Sequence, residues 1–149
     1  MLTLEPVTKE NFERIIALEL DAQQRGFVQS NLYSIAQSYV RPEFHPTAIC
    51  LNGEPVGFLL WCIDPEEDQY WVYRLMIDRA HQRRGYGTAA LRLLVEQLRQ
   101  DPSRGVLYIS AFPENTAALA AYTRLGFVPD GREIAGEVVL KYIYRGEKI

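Results

Sequence analysis

The segment that decides the fold is residues 70–100, which read YWVYRLMID (70–78), RAHQRRGYGT (79–88) and AALRLLVEQLRQ (89–100). Its first part is aromatic and branched, which predicts a strand buried on both faces. Its last part carries leucine and valine at spacings of three and four, which predicts a helix. A short polar turn that contains Gly85 and Gly87 joins the two.

This turn predicts an anion-binding site. A strand that passes through such a turn into a helix presents free backbone N–H groups together with the positive end of the helix dipole. That combination suits a phosphate or a pyrophosphate. Gly85 and Gly87 let the backbone approach the ligand closely, and Arg83 and Arg84 add positive charge. Taken alone, a Gly-x-Gly turn is equally consistent with an ordinary helix start, and neither the P-loop pattern nor the third glycine of the dinucleotide fingerprint is present.

Composition narrows the class of protein. The 149 residues are 48% hydrophobic and 23% charged, which predicts one globular domain over residues 1–149. No apolar run is long enough for a membrane span, and the N-terminus lacks the pattern of a signal peptide, so we expect a cytoplasmic protein. The net charge of −3 argues against a nucleic-acid partner and fits a small cationic substrate better. Cys50 and Cys62 lack the spacing and companions of a metal site.

The remaining pattern predicts an α/β protein with the element order β-α-α-β-β-β-α-β-α-β-β. A helix separates the central strand from the next one, so these two strands are expected to be parallel. Thr8 is expected to cap the first helix, and an Asp130–Gly131 turn to separate the last two strands. The predicted strands are 2–6, 47–51, 55–63, 70–78, 106–112, one from 127, and 137–144. The predicted helices are 9–22, one capped by Ser30 or Asn31 that ends near residue 40, 89–100 and 116–125.

Two features have both a structural and a functional interpretation. The aromatic residues Tyr33, Tyr39 and Phe44, in and after the second helix, either pack on the sheet or form a substrate wall. The acidic turn 64–68 is either an ordinary solvated turn or a site where Glu66, Glu67 or Asp68 holds a cationic substrate.

A second motif lies further along the chain. Asn115 and Tyr122 are seven residues apart, which places both on one side of a predicted helix. Together with the glycine turn, this pattern resembles the GNAT superfamily of acetyl-coenzyme A-dependent N-acetyltransferases. The resemblance implies a GNAT fold along essentially the whole chain, with a mixed central sheet and helices on both faces. The residues that carry it are Gln82, Gly85, Gly87, Asn115, Tyr122, Gly126 and Phe127.

A finer pattern in residues 27–36 and 70–78 looks like bacterial spermine/spermidine (diamine) acetyltransferases. It implies that a primary amine, most simply a polyamine, attacks acetyl-coenzyme A directly, and that the protein could form a homodimer. Polyamine, aminoglycoside, amino-acid and protein N-terminal acetyltransferases share the core motifs, so a peptide or another small amine is an alternative acceptor. A coenzyme A-binding sensor without catalysis is an alternative of a different class.

The resemblance also implies residue roles. Tyr122 would be the catalytic donor to the leaving thiolate, and the Ile77 N–H would face the thioester carbonyl. The residues expected to bind acetyl-coenzyme A are Leu75, Met76, Ile77, Gln82, Arg83, Arg84, Gly85, Tyr86, Gly87, Thr88, Asn115 and Tyr122. Those expected to bind the acceptor are Phe27, Tyr33, Glu66, Glu67, Asp68 and Tyr73. The general base stays open among Glu19, Asp21, His45, Glu66, Glu67, Asp68 and Tyr73.

Overall fold

The computed structural model describes residues 1–22 and 26–145. Its elements follow the predicted order. The strands are β1 (Leu2–Pro6), β2 (His45–Leu51), β3 (Glu54–Asp64), β4 (Gln69–Ile77), β5 (Val106–Ala111), β6 (Val128–Ile134) and β7 (Glu137–Ile143). The helices are α1 (Phe12–Ile16), α2 (Asn31–Val40), α3 (Tyr86–Leu98) and α4 (Thr116–Leu125).

All seven strands form one mixed sheet in the order β1-β2-β3-β4-β5-β7-β6. The β4–β5 pair is parallel, as predicted from the helix between them, and the neighbouring pairs are antiparallel. The 3₁₀ turn Arg79–His81 connects β4 to the start of α3. The central strand therefore leads directly into the glycine turn.

Helices cover both faces of the sheet, as expected. On one face, called the α3–α4 face, Leu91 and Leu94 of α3 pack with Leu59 of β3. On the other, called the α1–α2 face, Ile15 of α1 packs with Phe58. Cys50 and Cys62 are free, buried thiols. No helix within residues 1–22 and 26–145 is both long and apolar enough to cross a membrane.

The first helix is shorter than predicted. It runs only from Phe12 to Ile16, instead of 9–22, and Asn11 rather than Thr8 occupies its N-cap position. Thr8 and Asn11 are still joined by two hydrogen bonds. The Thr8 N–H donates to Asn11 Oδ1 at 2.7 Å, and the Asn11 N–H donates to Thr8 Oγ1 at 3.3 Å. The backbone beyond the helix bonds elsewhere: the Glu19 N–H donates to Asp78 Oδ1 at 2.9 Å, and the Glu19 carbonyl accepts from the Arg79 N–H at 2.7 Å. These long-range bonds replace the helical ones.

The turn between the last two strands also differs from the prediction. Asp130–Gly131 lies inside β6, where the pairing with β7 shifts register between Pro129 and Glu133. The actual turn is Ala135–Gly136, with φ of 52° and 83°. The Asp130 carboxylate accepts from the Arg132 N–H at 2.9 Å, which closes the bulge locally. Asp130–Gly131, which was predicted as a turn, therefore forms a β-bulge within the continuous strand β6.

Candidate active site

The two parallel strands at the centre of the sheet separate partway along their length. Within the described chain, β4 and β5 pair at three positions, from Tyr70↔Leu107 to Val72↔Ile109. Immediately afterwards β4 contains a bulge: against β3, Trp61 is opposite Val72 and Leu60 is opposite Arg74, so Tyr73 has no partner in that register. A bulge bends and twists its strand, and here it coincides with the point where β4 leaves β5.

The separation exposes one edge of β4. The Asp78 N–H donates to Val56 of β3 at 2.8 Å. Because the backbone groups of a strand alternate in direction, those of Met76 also face β3, whereas those of Leu75 and Ile77 face the opening. The Ile77 carbonyl accepts from Gln82 Nε2 at 2.9 Å. The Leu75 backbone and the Ile77 N–H therefore line an edge to which an extended ligand can bind as a further strand would.

The glycine turn opens the N-terminus of α3 toward the same space. Arg83 and Gly85 adopt left-handed conformations, with φ of 66° and 81°. The first backbone bond of the helix joins the Ala89 N–H to the Gly85 carbonyl at 3.0 Å. The preceding N–H groups of the helix, from Tyr86 to Thr88, lie in the first turn, where a helix supplies no acceptor. A Cβ at Gly85 would meet nothing within 4 Å, so the space outside the turn is open.

A cavity of about 1140 Å³ joins this turn to the strand opening. The predicted cofactor residues in its lining are Leu75, Met76, Ile77, Gln82, Arg83, Gly85, Tyr86, Gly87, Thr88, Asn115 and Tyr122. Arg84 is exposed and lies outside the lining, and the Met76 side chain packs into the core of the α1–α2 face. A strand edge, helix amides and basic charge meeting in one cavity fit an elongated ligand with a phosphorylated end.

Tyr122 and Asn115 enter the cavity from α4. Tyr122 is only 9% exposed and packs on Phe127, with ring centroids 5.9 Å apart. Within the described chain its hydroxyl makes no hydrogen bond. Burial, together with the charge of Glu137, raises the pKa of the Tyr122 phenol well above its usual value near 10. Asn115 is the N-cap of α4, and its Oδ1 accepts from the Ala118 N–H at 3.4 Å, which leaves its Nδ2 group to donate.

The residues expected to bind the acceptor divide into two groups. Phe27, Tyr73, Glu66 and Glu67 line the cavity. Tyr33 and Asp68 do not.

Their contacts explain this division. Tyr33 is 48% exposed and lies under the Arg74 guanidinium at 5.4 Å, whereas Asp68 forms a 2.6 Å ion pair with Arg104. Glu67 accepts from Trp71 Nε1 at 3.0 Å and forms a 2.6 Å ion pair with Arg132. The Tyr73 hydroxyl donates to Asp64, and burial together with this bond raises the pKa of Tyr73.

The other candidate bases lie in different places. His45 stacks on Trp61 at 4.2 Å, beside a separate cleft, and burial lowers its pKa. Glu19 lies 3.7 Å from Arg79 and is outside the cavity lining, whereas Asp21 belongs to it. His81 and Arg124, near the glycine turn and on α4, also line the cavity.

The cavity residues that the sequence prediction did not assign to the site include Asp64, Ser110 and Glu137. Asp64 accepts from the backbone N–H groups of Glu66 and Glu67 at 3.0 and 2.9 Å. Burial alone would raise its pKa, but the Tyr73 hydroxyl and these two N–H groups lower it. Glu137 accepts from Ser110 Oγ at 2.9 Å. No local motif marks the Ser110–Glu137 pair, because the pairing of β5 with β7 brings these two residues together.

A family model described as "Acetyltransferase (GNAT) family" matches residues 12–127. The matched range includes the strand opening, the glycine turn and Tyr122. The chain belongs to the GNAT family. It is therefore an acetyl-coenzyme A-dependent N-acetyltransferase, and acetyl-coenzyme A is its acyl donor.

The curated relatives of this GNAT chain include the spermine/spermidine N(1)-acetyltransferase of Bacillus subtilis (strain 168). The two sequences are 26% identical over 146 residues, which cover 93% of this chain and 96% of the relative. A probable spermine N(1)-acetyltransferase from Bacillus subtilis subsp. natto matches to the same extent, at 26% identity.

Solved structures show the same GNAT fold. The aminoglycoside acetyltransferase AAC(6')-Ib in complex with coenzyme A superposes with a TM-score of 0.78 at 20% identity, covering 96% of this chain and 95% of that one. The PaiA N-acetyltransferase from Thermoplasma acidophilum, also in complex with coenzyme A, gives a TM-score of 0.71 at 13% identity, covering 97% and 99%. At these identities the likeness establishes the architecture alone.

Proposed function

We propose that this GNAT enzyme transfers the acetyl group of acetyl-coenzyme A to a polyamine of the spermine/spermidine class. The observation that carries this proposal is the set of carboxylates in the cavity lining, on elements other than the glycine turn. Arg83 and the helix amides line one part of the cavity, and the carboxylates of Asp64, Glu66 and Glu67 line another part. A polyamine is a chain of ammonium groups at neutral pH. The spermine and spermidine acetyltransferases among its relatives support the same substrate class.

On the donor side, the backbone amides of the glycine turn and of Tyr86, Gly87 and Thr88 would hold the pyrophosphate, with Arg83 and Arg84 as counter-charges. The exposed edge of β4 at Leu75 and Ile77 would hold the pantetheine arm by backbone hydrogen bonds. Gln82 positions this edge through its bond to the Ile77 carbonyl. When bound, acetyl-coenzyme A supplies a thioester-activated acetyl group.

Two groups of this chain would act at the reacting centre. The Ile77 N–H faces the opening and would stabilise negative charge on the carbonyl oxygen. The Tyr122 hydroxyl would donate a hydrogen bond to the leaving sulfur. Its pKa is raised by burial, so it keeps its proton at neutral pH and acts by donation without ionising. Asn115 Nδ2 would donate to the bound arm.

Three general properties of the protein remain predictions from the sequence. We propose that residues 1–149 act as a single catalytic domain, that the enzyme works in the cytoplasm, and that it can form a homodimer. Gel filtration with light scattering checks the last of these directly.

The test of the proposed function is thiol release from acetyl-coenzyme A with a panel of amines. The panel contains spermidine, spermine, putrescine, lysine, kanamycin and a short peptide. We expect the polyamines to give kcat/KM values at least about tenfold above the others, since the ammonium groups of a flexible linear chain can meet carboxylates spaced along the cavity. Preferred turnover of lysine, kanamycin or the peptide would contradict the polyamine assignment and leave the acetyl transfer intact.

A further inference from the structure

Strand alternation places Ser110 and Glu137 on the side of the sheet opposite α3 and α4. Leu107, Ile109 and Ala111 of β5 belong to the core of the α3–α4 face. Ser110, between the last two, therefore points to the α1–α2 face. On β7, Val139 belongs to the α1–α2 core and is paired with Ser110. Glu137 precedes Val139 by two residues and so points to the same face.

The cavity consequently reaches both faces of the sheet through the gap between β4 and β5. Tyr122 belongs to the core of the α3–α4 face, the same face on which the glycine turn leads into α3. Glu137 lines the same cavity from the α1–α2 face. An acceptor that enters from this second face meets Glu137 without displacing a donor bound at the glycine turn.

The carboxylates of the cavity differ in how far they are already engaged. Glu67 has Arg132 as a counter-ion at 2.6 Å. Asp64 accepts from the Tyr73 hydroxyl and from the N–H groups of Glu66 and Glu67. Within residues 1–22 and 26–145, Glu137 has one hydrogen bond, 2.9 Å from Ser110 Oγ, and no ion pair. This half-buried carboxylate therefore retains its capacity for a cation.

The charge of Glu137 also acts on the phenol at the reacting centre. Together with burial, it raises the pKa of Tyr122. Glu137 and Tyr122 both line the cavity, so a group bound there can contact either residue.

We propose that Glu137, held in place by Ser110, binds the reacting ammonium group of the acceptor on the α1–α2 face of the strand opening. The acceptor class is thereby an amine that arrives as a cation and loses one proton, to a base or through water, before its nitrogen attacks the thioester. A carboxylate without a counter-ion in a partly desolvated cavity binds such a group strongly, and the Ser110 hydrogen bond fixes its orientation. This proposal rests on amine acetylation as the proposed function and names the residue that receives the amine.

The test compares Glu137→Gln with the wild-type enzyme, with spermidine as the acceptor. Glutamine keeps the shape and can still accept from Ser110, but it loses the charge. We expect kcat/KM for spermidine to fall about 100-fold, and the affinity for coenzyme A, measured by calorimetry, to stay within about twofold. We also expect the salt dependence of kcat/KM to weaken, because one charge–charge attraction is gone.

Glu133→Gln is the matched control. Glu133 is an exposed glutamate of β6, it is paired with Val138 next to Glu137, and it is outside the cavity lining. The Glu133→Gln variant undergoes the same change of charge, and its kcat/KM for spermidine should stay within about threefold of the wild-type value. Glu137→Asp keeps the charge on a shorter side chain, and its kcat/KM for spermidine should be at least about tenfold higher than that of Glu137→Gln.

Three results would overturn the proposal. Glu137→Gln could have the same kcat/KM for spermidine as Glu133→Gln, or Glu137→Asp could be no more active than Glu137→Gln. The third result is that Glu137→Gln loses affinity for coenzyme A by the same factor as it loses kcat/KM. If Glu137→Gln does not fold, as judged by its melting curve, Glu137→Ala takes its place, and a kcat/KM for spermidine equal to that of the wild-type enzyme contradicts the proposal. If the wild-type enzyme ignores spermidine, the polyamine function fails, and the variants are measured with the panel amine that it does acetylate.

Discussion

Tyr122 combines deep burial with a hydroxyl that has no hydrogen-bond partner in the described part of the chain. Its ring packs in the core of the α3–α4 face, and the residue lines the cavity. The hydroxyl is therefore free to donate to a ligand atom in the cavity. Burial, together with the charge of Glu137, raises the pKa of the phenol, so it stays protonated in mildly alkaline solution as well as at neutral pH.

We expect Tyr122→Phe to lower kcat about 100-fold and to leave the affinity for coenzyme A nearly unchanged, since only the hydroxyl is lost. The wild-type rate should show no decline due to Tyr122 below about pH 10, because its raised pKa keeps the phenol protonated there. Steady-state rates from pH 6 to 10 measure both effects.

Tyr142→Phe is the control for this substitution. Tyr142 packs on the same Phe127, with ring centroids 5.4 Å apart, and lies outside the cavity lining. It should retain the wild-type kcat. An unchanged kcat in Tyr122→Phe across the pH range would show that the hydroxyl plays no part in turnover.

At the scale of elements, the contact between β3 and β4 sets the position of the exposed strand edge. Gly57 of β3 is paired with Ile77 of β4. A Cβ at Gly57 would lie 2.6 Å from the Met76 carbonyl oxygen and 2.7 Å from Ile77 Cδ1. The absence of a side chain at this position lets β4 approach closely.

We expect Gly57→Ala to lower the free energy of unfolding by about 1–3 kcal/mol, because β4 must shift to accommodate the methyl group. The same shift should raise the KM for acetyl-coenzyme A, since Ile77 lies at the opening. Urea denaturation and steady-state kinetics measure the two effects. Gly26→Ala is the control for stability: its Cβ would meet nothing within 4 Å. Equal stability of the two variants would contradict the expectation.

Elements with local signals were predicted well from the sequence. Helix α4 runs from Thr116 to Leu125 as predicted, with Gly126 at its C-cap, because an N-cap residue and a C-terminal glycine are local signals. The hairpin of β2 and β3 followed in the same way from Asn52–Gly53. Motif spacing singled out the glycine turn and Tyr122 as candidate site residues, and both line the cavity.

The features that the sequence did not predict depend on contacts between residues that are distant in sequence. Helix α1 ends early because the Glu19 backbone bonds to the turn after β4. Asp130–Gly131 became a bulge because β6 continues its pairing with β7. Glu137 looked like one more polar residue in an alternating strand. Only the placement of β7 beside β5 brings it to Ser110 and into the cavity.

At the scale of the whole molecule, the two cores hold several ionisable groups in their neutral forms. Burial raises the pKa of Cys62 to about 11. Burial, and then the hydrogen bond to Asp101, raises that of Tyr70 to about 12. Tyr73 and Tyr122 shift in the same direction. In an unfolded chain these thiol and phenol groups ionise near 8.5 and 10.

This difference predicts a loss of stability in alkali. A group whose pKa is raised by folding stabilises the native state fully below its unfolded pKa, and this contribution is lost as the pH rises toward the folded value. We expect the free energy of unfolding to decline from about pH 8.5, through Cys62, and more steeply above about pH 10, through Tyr70, Tyr73 and Tyr122. Urea denaturation from pH 7 to 11 measures it.

Tyr70→Phe should show a shallower decline above about pH 10, since it removes one of the phenols that ionise on unfolding. Equal unfolding free energies at pH 8 and 11 in the wild-type protein would contradict this account.

The cavity that reaches both faces of the sheet has an evolutionary consequence. The donor wall is built from the end of β4 and the start of α3, whereas Glu137, Ser110 and the β3–β4 turn belong to other elements. A substitution in the acceptor wall need not change the strand edge and the helix amides of the donor wall. Acceptor preference can therefore diverge while the acetyl donor stays the same, and a shared GNAT architecture identifies the donor far more securely than the amine that is acetylated.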